Sequence, residues 1–303
     1  MLFSKNLHLL FLCLFGLISG LFWSCGSVEE SPKTPEKGLV ERPVLKDGTV
    51  ELGGVKVDFM FPGRSIQGSL LLLPGWNFSR TDVCENSSIC RVALDSGFVL
   101  ILPEMGKSIY HSQIFPETRE DWREYPGLKW VTDTLIPRVQ EDYSLLLPGE
   151  NNFVYGISTG ARGVAQLATH TKNIFRCGIA LSGDYDQRDL KSDNLMTGYY
   201  GPYEKFRDRW EGEDNPVMNV KKVDFPVFMC HGKNDKVVPY SQSQKFFDAL
   251  HGAGKISGLS PVDTAGHNYG FWDSQTGFAM KMIFLHKKSD EPGPFNTSQQ
   301  GKQ

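Results

Sequence analysis

The amino-acid sequence predicts a three-layer α/β/α sandwich on a mostly parallel central sheet, and three observations lead there. The apolar segments "SLLLLPG", "FVLILPE" and "FPVFMCHG" are continuous rather than alternating, the pattern of strands covered on both faces. Stretches of helical periodicity separate them, as crossovers between parallel strands require. A chain of 303 residues, 40% hydrophobic and 22% charged, is long enough for one large core.

Taken in order, "TVELGGVKVDFMF" (49–61) predicts an opening hairpin, "SLLLLPG" (69–75) a buried strand and "TDVCENSSICRVALDSG" (81–97) a helix stopped by glycine. "FVLILPE" (98–104) is the next strand, and "LKWVTDTLIPRVQEDY" (128–143) an amphipathic helix kinked at Pro137. The pattern continues as strand 152–158, helix 161–171, strand 177–183, strand 225–232, helix 241–254, strand 259–266 and closing helix 277–288. In such sheets ligands gather at the carboxyl ends of the strands, so the residues just after each apolar run are the ones to inspect.

The ends of the chain differ in character. Residues 1–24 hold a lysine followed by a long apolar run, which reads as a secretion signal. Cys25, with Leu21 four residues before it, resembles the lipidation site of a bacterial lipoprotein, although Phe22 and Trp23 relax the match. The alternative is an uncleaved membrane anchor, since the stretch approaches the ~20 residues that span a bilayer. Both readings place the rest of the chain outside the cytoplasm, at the cell envelope. Residues 25–47 have the composition of a flexible tether, 48–288 form the folded domain, and 289–303 read as a disordered tail.

A net charge of −3 with no basic bias argues against nucleic acid as a partner. Cys84 and Cys90 are close enough to bridge, and an exported protein meets oxidising conditions, so a local disulfide is expected. Cys177 and Cys230 lie in apolar runs as free thiols. No ligand spacing for zinc occurs, and neither metal nor cofactor is expected.

"NFVYGISTGARGVAQLATH" puts Ser158 between a strand and a helix in the pattern Gly156-Ile157-Ser158-Thr159-Gly160. A nucleophilic serine on so sharp a turn needs small residues two positions either side. It also needs a histidine base oriented by a carboxylate. Asp235, after the strand 225–232, and His267, after the next strand, follow in the order Ser, acid, His. His231 precedes the acid and is read as a brace for its loop. Asp184 and Asp186, after the strand 177–183, are alternative acids. Two backbone N–H groups should hold the oxyanion, one from Thr159 and one from Trp76 in the loop after the early strand, with the Trp76 ring walling an acyl pocket.

Residues 53–286 resemble the α/β-hydrolase superfamily. "GISTGARGVAQLA", "IFRCGIALSGDYD", "NPVMNVKKVDFPVFMCHGKND" and "AGHNYGFWDSQTGFAMKMI" resemble the esterase family that includes esterase D and S-formylglutathione hydrolase. The resemblance implies Ser158 as nucleophile, His267 as base, Asp235 as acid, and Trp76 and Thr159 as oxyanion donors. Thr159 and Arg162 depart from the family pattern, and Arg162 is expected to bring positive charge near the pocket. An aromatic, charged insertion at 183–222 and the segment "EMGKSIYHSQIF" are expected to wall the site. The function expected is hydrolysis of a small carboxylic ester, with peptide or thioester cleavage second. The rival is a binding lipoprotein on a hydrolase scaffold.

Overall fold

The structure, a computed structural model, describes residues 46–288. The leader, Cys25, the tether up to residue 45 and the tail 289–303 lie outside the described residues.

One eight-stranded sheet organises the domain, in the order β1-β2-β4-β3-β5-β6-β7-β8. Its strands are β1 (Gly48–Leu52), β2 (Val55–Met60), β3 (Gly68–Leu73), β4 (Phe98–Pro103), β5 (Asn152–Ile157), β6 (Cys177–Leu181), β7 (Val227–Gly232) and β8 (Ser257–Val262). β1 and β2 form the opening hairpin, turning at Gly53-Gly54 with positive φ at both, as a two-residue hairpin turn requires. β2 also pairs antiparallel with β4; every other pair is parallel.

The helices are α1 (Asp82–Asn86), α2 (Ile89–Asp95), α3 (Gly127–Trp130), α4 (Ile136–Tyr143), α5 (Thr159–His170), α6 (Asn194–Tyr200), α7 (Arg207–Glu211), α8 (Ser241–Gly252), α9 (Tyr269–Ser274) and α10 (Thr276–His286). The helix expected over 81–97 is two helices. Ser87 is extended, and both the N–H and the hydroxyl of Ser88 bond Asp273 Oδ1 (2.7 and 2.6 Å), so the backbone leaves the helical ladder there. The Cys84–Cys90 disulfide spans that break. The bend expected at Pro137 is a π-turn over Val131–Leu135 leading into α4, just ahead of the proline that has no N–H to give.

Alternate side chains of each inner strand enter opposite cores. On β3, Leu71 and Leu73 face one core with Val164 and Phe246, while Leu70 and Leu72 face the other with Ile283 and Trp272. Both faces are therefore covered, which is why these runs are apolar without alternation. A third cluster joins Ile109 and Trp122 to Tyr199, Tyr200 and Trp210 of the insertion. Cys177 and Cys230 are free and buried, and burial pushes both thiols well up from their ordinary range. From β3 the chain runs outward to β4, then returns past β3 to add β5 through β8 on the other side. The strand order reverses between β3 and β5, where a sheet of this kind opens a crevice at its carboxyl edge.

Candidate active site

Ser158 stands at that reversal, between β5 and α5, with φ 54° and ψ −124°. A non-glycine residue there carries about 1–3 kcal/mol of strain. Three bonds hold it: its N–H donates to the Leu181 carbonyl (2.8 Å), and its carbonyl accepts from the N–H groups of Ala161 (2.9 Å) and Arg162 (3.3 Å). The flanking glycines follow from close approach. A Cβ on Gly156 would strike the Gly160 carbonyl, and one on Gly160 would strike the carbonyls of Leu73 and Pro74 at the end of β3. The turn therefore presses against the loop after β3, where a Cβ on Gly75 would lie 3.2 Å from that of Ser158.

The loops after β7 and β8 are tied together. Lys233 N–H donates to the Val262 carbonyl (2.9 Å) and Asn234 N–H to the Ala265 carbonyl (3.0 Å). This sets His267 between Asp235 and Ser158, with Nδ1 2.7 Å from Asp235 Oδ2 and Nε2 3.0 Å from Ser158 Oγ. A carboxylate only accepts, so Nδ1 carries the proton and Nε2 is left to accept from the serine hydroxyl. Trp272 on α9 meets the His267 ring edge-on at 5.1 Å, and its own N–H donates to Ser182 Oγ at 3.1 Å.

Burial alone would raise the carboxyl of Asp235. Hydrogen bonds from His231, His267 and the Val238 N–H more than offset that and hold it well below the usual carboxylate range. Its other oxygen, Oδ1, accepts from the N–H groups of Val237 and Val238, each at 2.9 Å. The acid thus stays ionised beside the imidazole. His231 is buried next to it, as a brace for this loop would be, with Nε2 3.3 Å from Asp235 Oδ2.

The alternative acids are engaged elsewhere. Asp184 pairs with Arg162 (3.1 Å). Asp186 binds Arg188 and Lys245, both at 2.6 Å. Arg162 does not face a pocket: it is 0% exposed and donates to Asp184, Gln187, Tyr200 and the Asp214 carbonyl. It is a staple between α5 and the insertion, and nothing in its local sequence distinguishes that from a pocket charge.

None of the hydrogen bonds among the described residues engages the backbone N–H of Trp76 or Thr159. The half-buried Trp76 ring packs edge-on against Trp122 (4.8 Å) and Tyr199 (5.9 Å), joining the insertion's aromatic cluster to the loop beside Ser158. Met105 to Ser108, from the expected wall segment, line a cavity of about 210 Å³ with Asn77, Trp122 and Tyr125. Sequence reading passed over α9 and its Trp272. The usable signal was Asn268, whose side chain caps α9 by accepting from the Phe271 N–H at 3.0 Å.

Comparison with known proteins agrees with this architecture. The model of the prolyl oligopeptidase family matches residues 142–290. A "probable glutamyl endopeptidase, chloroplastic" of Oryza sativa subsp. japonica is 33% identical over 123 residues. That match takes in 38% of this chain, and the chain spans only 12% of the relative's length. Among solved structures, an S-formylglutathione hydrolase from Agrobacterium tumefaciens superposes with a TM-score of 0.64 at 16% identity, covering 80% of this chain and 94% of that one. The fluorophosphonate-binding serine hydrolase F of Staphylococcus aureus gives 0.63 at 17% identity, covering 78% and 96%. With this strand order, a strained serine at the sheet's reversal and an Asp–His–Ser relay at the carboxyl edge, the chain has the α/β-hydrolase fold.

Proposed function

We propose that the protein hydrolyses carboxylic esters through an acyl-enzyme on Ser158. The observation that carries this is the unbroken relay of 2.7 and 3.0 Å from Asp235 through His267 to Ser158. As Ser158 Oγ attacks the ester carbonyl, its proton passes to His267 Nε2, and the resulting imidazolium is stabilised by Asp235. The N–H groups of Trp76 and Thr159 receive the oxyanion; one such donor contributes about 3–4 kcal/mol to the transition state. His267 then gives its proton to the departing alcohol. Water, deprotonated by the same nitrogen, releases the acid and restores the serine.

Peptide cleavage on the same machinery is the second reading, favoured by the match to the prolyl oligopeptidase family over residues 142–290. Both substrates would use the same relay, but an amine leaves only when His267 protonates it in step with bond breaking, whereas an alkoxide depends less on that proton. A fluorophosphonate probe tests the common chemistry: adduct formation at Ser158 is expected, and its absence under conditions that label a control hydrolase would favour a binding protein. Parallel rates on p-nitrophenyl esters and peptide p-nitroanilides separate the two substrates, with faster ester turnover expected.

Export and lipid attachment at Cys25 belong to the same proposal. The leader's composition and the Cys84–Cys90 bond, which persists in oxidising compartments, support them. Cys25→Ala is expected to release the protein from membranes; unchanged retention would refute the anchor.

A further inference from the structure

The relay does not end at its acid. His231, at the carboxyl end of β7, is wholly buried, and its ring is fixed from both sides. Nε2 lies 2.9 Å from the Val238 carbonyl and 3.3 Å from Asp235 Oδ2, while Nδ1 lies 2.7 Å from Ser243 Oγ on α8. A carbonyl and a carboxylate both only accept, so Nε2 carries a proton, shared between them. Nδ1 is then free to accept from the Ser243 hydroxyl. The carboxylate oxygen that His231 reaches is the one that receives His267 Nδ1.

We infer that His231, held by Ser243, is a positioning residue that fixes Asp235 Oδ2 in line with His267. The inference rests on the hydrolase reading. Among the described residues, two N–H groups anchor Oδ1, but Oδ2 meets only His267 and His231, and His267 is the group whose geometry must be set. Without the second donor the carboxylate can rotate about its Oδ1 anchor, and His267 loses its fixed alignment with Ser158. Oδ2 also becomes a stronger hydrogen-bond base, which favours protonated His267. A misaligned relay lowers turnover and leaves substrate binding in place.

The test uses the full chain with His231→Phe, which fills the space without a donor, His231→Gln, which returns an N–H near the Nε2 position, and Ser243→Ala. We expect His231→Phe to lower kcat about 10- to 100-fold with KM changed less than about twofold, and to move the acid limb of the pH–rate profile upward. His231→Gln should recover part of both effects. Ser243→Ala, which keeps the ring and serves if His231→Phe does not fold, should shift both in the same direction by less. The downfield proton resonance of His267 Nδ1–H, read without substrate, should move in His231→Phe and return toward its original position in His231→Gln. An unmoved resonance in folded His231→Phe, or equal losses in Phe and Gln, would overturn the inference. If His231→Phe does not fold, an unmoved resonance in Ser243→Ala would do so. Failure of wild-type protein to turn over esters or react with fluorophosphonate would instead sink the hydrolase reading, and the resonance would still decide the role of His231.

Discussion

His267 Nε2 lies 3.0 Å from Ser158 Oγ across 109 residues of chain. The serine follows β5 and the histidine follows β8, with β6 and β7 between them in the sheet. They meet because the β8 loop is bonded back onto the β7 loop and Trp272 props the ring from behind. The contact is thus a property of the sheet's carboxyl edge rather than of any local segment.

Ser158→Ala should abolish ester turnover, by roughly 10⁶-fold in kcat as in serine hydrolases stripped of their nucleophile, and should leave no fluorophosphonate adduct. Alanine carries the same backbone strain as serine at φ 54°, and one hydrogen bond is lost. Stability measured by urea denaturation should therefore change by no more than about 1 kcal/mol.

Arg162 is the cation of a buried group that includes Asp184 at 3.1 Å and the carbonyl of Asp214. Arg162→Met should destabilise the fold by about 3–5 kcal/mol, because carboxylates are left buried without their counter-charge. Adding Asp184→Asn should recover part of that loss. Denaturant midpoints check both, and an Arg162→Met protein as stable as wild type would show that the staple contributes nothing.

Burial raises the carboxyl of Asp214 to about 6, against the opposing pull of Arg162 and of the Ser112 N–H that it accepts. The folded state therefore holds this proton at pH values where the unfolded chain, with an ordinary carboxyl near 3.9, has released it. Its contribution to stability is fully present below about pH 4 and is lost as pH rises toward about 6. Asp214→Asn should flatten stability across that window, as followed by thermal midpoints at successive pH values. A wild-type profile with the same slope as the variant would be the contrary result.

The Cys84–Cys90 bond closes a loop with a separation of six residues across the break between α1 and α2. A loop this short restrains the unfolded chain by about 2 kcal/mol, so the double Cys→Ser variant should lose about that much in denaturant titration. Reduction of the wild-type protein should lower stability similarly and leave the variant unaffected.

The strands and the serine turn were legible because their causes are local. Continuous apolar runs mark strands covered on both faces, and glycines at 156 and 160 mark a turn with no room for Cβ. The break at Ser87–Ser88 was not legible, since its cause is Asp273, 185 residues away. In the sequence Arg162 looks like a pocket charge, because a charged residue one turn past Ser158 says nothing of the four partners that enclose it.

By itself, then, the sequence determined which segments become strands, though β8 ends at Val262 rather than at 266, and the order in which serine, carboxylate and histidine follow them. These follow from hydrophobic patterning and backbone sterics, which act over a few residues. The order of the chain already favoured Asp235 over Asp184 and Asp186; only the tertiary structure shows that Asp184 and Asp186 are paired elsewhere, that His231 touches the carboxylate oxygen that also meets His267, and that Arg162 is buried. Each depends on contacts of 2.6 to 3.3 Å between side chains carried on different strands, loops and helices, and only the packed sheet, with its loops bonded to one another, brings those groups within reach.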